Sequence, residues 1–184
     1  STPYPTLFPY TTLFRSERHI RYQDAFDLLK VVTTEYNIEG NPIPKFIDLV
    51  LQVKPTQVTL VPDAEDAITS NAGWDTIKHK DFLTEVVTEF KRNGIRTSLF
   101  VDPVEAMVTA AAATGTDRVE LYTEGYASQY ALGNKTAVEP YVKAALEAQK
   151  VGLGLNAGHD LSLDNLKYFK EQIPNLLEVS IGHA

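Results

Sequence analysis

The chain contains no cysteine, which excludes disulfides, thiolate metal ligands and a cysteine nucleophile. No apolar run approaches the roughly 20 residues that a membrane span needs, so a cytoplasmic protein is the expectation. Positive charge is also scarce. Lys and Arg number 17 against 24 Asp and Glu, for a net charge of −7. That balance excludes a broad nucleic-acid surface, because a phosphate backbone calls for a basic face. It leaves room for small phosphorylated ligands, which local backbone N–H groups can hold inside an acidic protein. Finally, no predicted strand is followed by Gly-x-Gly-x-x-Gly, which counts against dinucleotide binding.

What is present is 184 residues, 43% hydrophobic and 22% charged, the composition of one soluble domain with a substantial core. Residues 1–16, STPYPTLFPYTTLFRS, stand apart. They are dense in Pro, Thr and aromatics, repeat Pro-Tyr and Thr-Leu-Phe, and show neither helical nor alternating periodicity. They lack the basic start and apolar core of a signal peptide. They read either as translated adapter sequence joined to a gene fragment or as a genuine unstructured arm. In both cases the expected domain is 17–184.

From Glu17 onward, strand and helix patterns alternate. A helix is expected near Gln23–Thr33 and a short strand at Tyr36–Glu39. Pro42 and Pro44 suit the first turn of a second helix, with Ile47, Val50 and Leu51 on its stripe. Gln57–Val61 reads as a strand. Leu83, Val86, Val87 and Phe90 mark a third helix that Gly94 ends. Strand Arg96–Val101 leads to Asp102-Pro103, an N-cap and N1 pair by pattern, and an Ala-rich helix. Strand Arg118–Tyr122, helix Glu139–Lys150, strand Gly152–Leu155 and strand Leu177–Ile181 complete the series. Ser162 is the expected N-cap of a helix carrying Leu163, Leu166 and Phe169. The pattern gives six strands and six helices, and such alternation implies parallel strands in a doubly wound sheet or a (β/α) barrel. The chain stops straight after a strand, as a truncated barrel would.

In a parallel sheet all strand C-termini share one rim, where chemistry collects. That rim is expected to carry Glu39, the loop holding Thr69, Asp102, Asn156 with His159, and Gly182 with His183. Glu120 sits one residue inside its strand. Ordinary roles exist for most of these. Asp102 suits an N-cap, Thr69 a turn, Gly182-His183 a turn leaving a strand, and His159 a bond to a loop carbonyl. Glu39 and Glu120 are harder to dismiss, because a carboxylate in a buried strand is unfavourable unless paired or used. Two histidines and two glutamates on one rim fit an acid/base site. They fit equally well as metal ligands, as in barrel sugar isomerases or aldolases. A non-catalytic phosphate-binding module is a third reading.

Arg18-His19-Ile20, Asn37-Ile38-Glu39, Leu60-Val61-Pro62, Ser98-Leu99-Phe100, Val119-Glu120-Leu121, Asn156-Ala157-Gly158-His159 and Ile181-Gly182-His183-Ala184 together resemble the pyridoxine 5'-phosphate synthase family of vitamin B6 biosynthesis. The two four-residue motifs, in this order and spacing, are the specific part. The resemblance implies a TIM barrel of eight strand–helix units, of which six are present. It also implies condensation of 3-amino-2-oxopropyl phosphate with 1-deoxy-D-xylulose 5-phosphate, releasing water and inorganic phosphate, with no metal and no cofactor. By position, Glu39 matches the proton acceptor, His159 the proton donor and Glu120 a transition-state stabiliser. His19 and Thr69 match positions that bind the xylulose phosphate, Asp160 a position bound to the amino-ketone phosphate, and Gly182 with His183 the substrate-binding pair after the last strand. Asp160 departs from the family, which also has Gly there. The family's first two strands, with a further catalytic histidine and a His-x-Arg, have no counterpart. The resemblance therefore implies a fragment, truncated at both ends and inactive alone, of a cytoplasmic homo-oligomer that is octameric in the family.

Overall fold

A computed structural model of the protein describes residues 10–14, 21–62 and 72–181. Strands and helices alternate along it. The strands are β1 (Tyr10–Phe14), β2 (Tyr36–Gly40), β3 (Gln57–Leu60), β4 (Arg96–Val101), β5 (Arg118–Tyr122), β6 (Gly154–Gly158) and β7 (Leu176–Ser180). The helices are α1 (Tyr22–Leu29), α2 (Pro44–Val53), α3 (Lys80–Arg92), α4 (Glu105–Ala112), α5 (Glu124–Ala131), α6 (Glu139–Lys150) and α7 (Leu166–Gln172). The strands form one sheet in chain order, each parallel to the next. None of the described helices is long and apolar enough to cross a membrane.

Successive strand residues face opposite sides, and here the two sides differ in chemistry. Ile38, Val58, Leu60, Leu99, Val101, Val119, Leu121, Leu155 and Ala157 turn outward into a hydrophobic core under the helices, which contribute Leu49, Val50, Leu83, Val87, Phe90, Ala144 and Phe169. The alternate positions, Asn37, Glu39, Gln57, Thr59, Ser98, Glu120, Asn156 and Glu178, are buried and polar. They meet one another. Gln57 on β3 donates from Nε2 to Glu178 Oε2 on β7 at 3.3 Å, although four inter-strand steps in a flat sheet would separate them by about 19 Å. The sheet is therefore curled into a partial barrel with a polar interior.

Several expectations need correction. Residues 1–16 were expected to lie outside the fold, yet Tyr10–Phe14 form an edge strand beside β2, a run rich in β-favouring Tyr, Thr and Phe. The sheet thus has seven strands. Helix α1 ends at Leu29. Helix α5 was not foreseen, because Glu124–Ala131 carries no clear apolar stripe around Gly125. The strand expected at Gly152–Leu155 starts later, because Gly152 turns the chain with φ +78°, and it runs to Gly158. Asn156 accordingly lies inside a strand rather than beyond it. The N-cap of α7 is Asn165, not Ser162. The Asn165 side chain accepts from Ser162 N–H (2.9 Å) and donates to the Asp160 carbonyl (3.0 Å), which holds a turn ahead of the helix. Leu163 is 96% exposed and joins no stripe. Asp102 caps no helix either: Val104 occupies that place in α4, and the Asp102 carboxylate accepts from Gly73 N–H at 3.3 Å.

Candidate active site

The barrel interior is built in two levels. Nearer the strand N-termini, Glu178 Oε2 accepts from Gln57 (3.3 Å), Arg118 Nη1 (3.2 Å) and Asn156 Nδ2 (3.1 Å). Arg118 also donates to Asn156 Oδ1 at 3.2 Å. Arg96 extends the chain of bonds, donating from Nε to Gln57 Oε1 (2.7 Å) and forking onto the Glu35 carboxylate. This girdle ties β3, β4, β5, β6 and β7 together through side chains alone. Burial pushes the Glu178 carboxyl up from its ordinary value, while the Arg118 guanidinium works the other way.

One step toward the strand C-termini lie Glu39, Thr59, Ser98 and Glu120, with Glu39, Thr59 and Ser98 side by side in the β2–β3–β4 register. Glu120 is 1% exposed. Burial first, and then the negative charges of Glu39 and Glu178, push its pKa well above the usual carboxylate range. Both causes favour the protonated carboxyl, which offers an O–H donor that an ionised one cannot. Its strand neighbours in register are Phe100 and Asn156.

Above Glu120 the chain leaves β6 by an unusual path. His159 and Asp160 both take positive φ, +92° and +58°, a conformation that is unfavourable for side-chain-bearing residues by about 1–3 kcal/mol each and that gathers at functional sites. Thr123 holds the turn. Its N–H (2.9 Å) and its hydroxyl (2.7 Å) both donate to the Gly158 carbonyl, and the hydroxyl also reaches the His159 carbonyl. The His159 imidazole pairs through Nδ1 with the Asp160 carboxylate, so its partner is not the loop carbonyl that was expected. The Tyr122 ring stands edge-on to it at 4.9 Å, backed by Phe100 at 5.3 Å. With Nδ1 engaged, Nε2 is the nitrogen left for chemistry.

The structure thus brings Glu39 within electrostatic reach of the buried Glu120, whose carboxyl lies against Gly158, and sets His159, paired with Asp160, at the next residue. The Asp102 carboxylate is engaged by Gly73 N–H. His19, Thr69, Gly182 and His183 lie outside the described residues. Among the described residues, no group of three His, Cys, Asp or Glu side chains is placed to hold a metal ion.

A sequence profile of the family described as "Pyridoxal phosphate biosynthesis protein PdxJ" matches residues 11–184. The chain belongs to the PdxJ family. Curated relatives called pyridoxine 5'-phosphate synthase include those of Flavobacterium johnsoniae, Christiangramia forsetii and Cytophaga hutchinsonii, at 70%, 66% and 64% identity over 168 residues. Each alignment covers 91% of this chain and 71% of the relative. Among solved structures, monomeric phosphoribosylanthranilate isomerase from Thermotoga maritima aligns with a TM-score of 0.59 at 15% identity, covering 93% of this chain and 74% of that one. An HpcH/HpaI aldolase from Desulfitobacterium hafniense aligns with a TM-score of 0.61 at 12% identity, covering 96% and 78%. At such identities these two speak for the barrel fold alone.

Within this PdxJ chain the girdle of Gln57, Arg96, Arg118 and Glu178 escaped the reading of the sequence. Its signal was a polar residue at every second position of otherwise apolar strands: Gln57 and Thr59, Arg96 and Ser98, Arg118 and Glu120, Glu178 and Ser180.

Proposed function

We propose that this chain carries the proton-transfer centre of a pyridoxine 5'-phosphate synthase, which joins 3-amino-2-oxopropyl phosphate to 1-deoxy-D-xylulose 5-phosphate with release of water and phosphate. The observation that carries the reading is 70% identity to a curated synthase across 91% of the chain. The chemistry agrees. Imine formation and successive dehydrations need protons both taken and given, and a centre of two carboxyls, one of them biased toward its protonated form by burial, plus an imidazole supplies both.

In this reading Glu39 accepts a proton, His159 donates one from Nε2, and the Glu120 O–H stabilises charge that develops on a substrate oxygen. Asp160 orients His159 through Nδ1 and meets the amino-ketone phosphate with its backbone. Its carboxylate is engaged by the imidazole, so the added anion is hydrogen-bonded within the protein. His19 and Thr69 bind the xylulose phosphate, and Gly182 with His183 form the substrate-binding pair after the last strand. No metal or cofactor takes part. The protein is a cytoplasmic homo-oligomer in this reading. In this reading the catalytic domain includes the strand Tyr10–Phe14, and turnover requires the histidine and His-x-Arg of two further strand–helix units, so the 184-residue chain binds without turning over.

Calorimetric titration of the chain with 3-amino-2-oxopropyl phosphate tests this. Saturable binding that survives His159→Ala is the expected result. Absence of binding contradicts the reading. Binding that persists in a chain completed with those two units, but without turnover, favours a phosphate-binding module instead.

A further inference from the structure

A glycine can be required by its backbone or by its surroundings. Gly152 is of the first kind, with φ +78° and nothing within 4 Å of where a Cβ would stand. Gly158 is of the second. It lies in β6, outside the left-handed region, so its conformation is open to any residue. Yet a Cβ there would stand 2.2 Å from Glu120 Oε1, 3.2 Å from Glu120 Cδ and 2.9 Å from Ser180 Cβ.

The Glu120 carboxyl has little room to retreat. It is 1% exposed, and its register neighbours are the buried Phe100 ring and Asn156, whose amide is fixed by Arg118 and Glu178. The Gly158 carbonyl is meanwhile gripped twice by Thr123, at 2.9 and 2.7 Å. Displacement of residue 158 therefore also passes into the strained turn at His159.

We propose that Gly158 is a positioning residue, whose missing side chain is what allows the Glu120 carboxyl to lie against β6 one residue before His159. An alanine at 158 forces the carboxyl and the β6 backbone apart by about 1 Å, a displacement that in a preorganised site lowers turnover about 100-fold. The inference rests on the reading of Glu120 as a working group. Its test involves no substrate, so its failure and the failure of that reading are distinguishable.

Urea unfolding is measured for the chain, Gly158→Ala, Glu120→Ala and the double variant. The expected result is a midpoint that falls sharply for Gly158→Ala and much less when Glu120 is already alanine. In parallel, the carbon-13 resonance of the Glu120 carboxyl, assigned by its loss in Glu120→Gln, is followed with pH. In Gly158→Ala it is expected to move, with its titration midpoint displaced toward the ordinary glutamate value as the group leaves its pocket. Equal loss of stability in both backgrounds, or an unmoved resonance, overturns the proposal. If Gly158→Ala does not fold, folding of the double variant supports the proposal and its failure to fold overturns it.

Discussion

Replacing Arg118 by methionine keeps most of the side-chain volume and removes the cation that faces Glu178. The pair is 3.2 Å apart, with side chains 16% and 4% exposed. At an effective dielectric of about 20 the Coulomb attraction is about 5 kcal/mol, and desolvation of the two ions offsets most of it. The pair is therefore worth little net, but losing one member strands a buried carboxylate, which typically costs about 3–5 kcal/mol. Glu178 keeps its bonds from Gln57 and Asn156, which puts Arg118→Met near the lower end, about 3 kcal/mol. Adding Glu178→Gln removes the stranded charge and should recover about 2 kcal/mol of that loss. The pH dependence fixes the mechanism. Glu178 already titrates above its ordinary value of 4.5, and removal of Arg118 moves it higher. The defect is thus smallest below the ordinary value, where the carboxyl is neutral folded or unfolded, and grows as pH rises through the folded pKa. Urea unfolding across pH measures all of this. A loss under about 1 kcal/mol at neutral pH, or a double variant no better than the single, would mean that Arg118 does not compensate the Glu178 charge.

Three further outcomes follow from the same geometry. Glu120, raised in the folded state by burial and by Glu39 and Glu178, contributes stability that is full below the ordinary glutamate value and lost as pH rises through its folded pKa. Glu120→Gln should abolish that decline, and urea midpoints that run parallel to the parent at every pH would contradict it. Gly73→Ala places a Cβ 2.3–2.4 Å from the Asp102 and Val101 backbone, where no side chain can swing aside, and should cost about 1–3 kcal/mol in thermal or urea unfolding. Thr123→Val preserves shape but leaves the Gly158 and His159 carbonyls without the hydroxyl. The expected loss is about 1–2 kcal/mol, with faster hydrogen exchange at the His159 amide as the local signature.

The parts of the fold legible in the sequence are those set by local periodicity. The α3 stripe, Gly94 after it, and the strands Arg96–Val101 and Arg118–Tyr122 stand where the pattern put them, because a half-buried helix or strand writes its period into the residues. Capping was less legible. Asp102 and Ser162 are good caps in isolation, yet Asp102 is drawn to Gly73 and Ser162 into a turn organised by Asn165. Those partners are remote or non-helical, and a short window does not see them. The candidate groups Glu39, Glu120 and His159 were found because carboxylates in apolar strands and a His after a strand are conspicuous. The girdle beneath them was not found. Gln57 and Glu178 are 121 residues apart, and only the curl of the sheet reveals that they face each other. The strand Tyr10–Phe14 escaped for a similar reason, since its pairing with β2 is tertiary.

Formation of pyridoxine 5'-phosphate from 3-amino-2-oxopropyl phosphate and 1-deoxy-D-xylulose 5-phosphate decides whether this chain carries the proton-transfer centre of a synthase. It is measured on the chain completed with the two strand–helix units, with and without Glu39→Gln. Product is expected from the completed chain, with a loss of about 100-fold or more in the Gln variant, as follows from removal of a general base. Turnover unchanged by Glu39→Gln, or a completed chain that yields no product, would contradict the synthase reading.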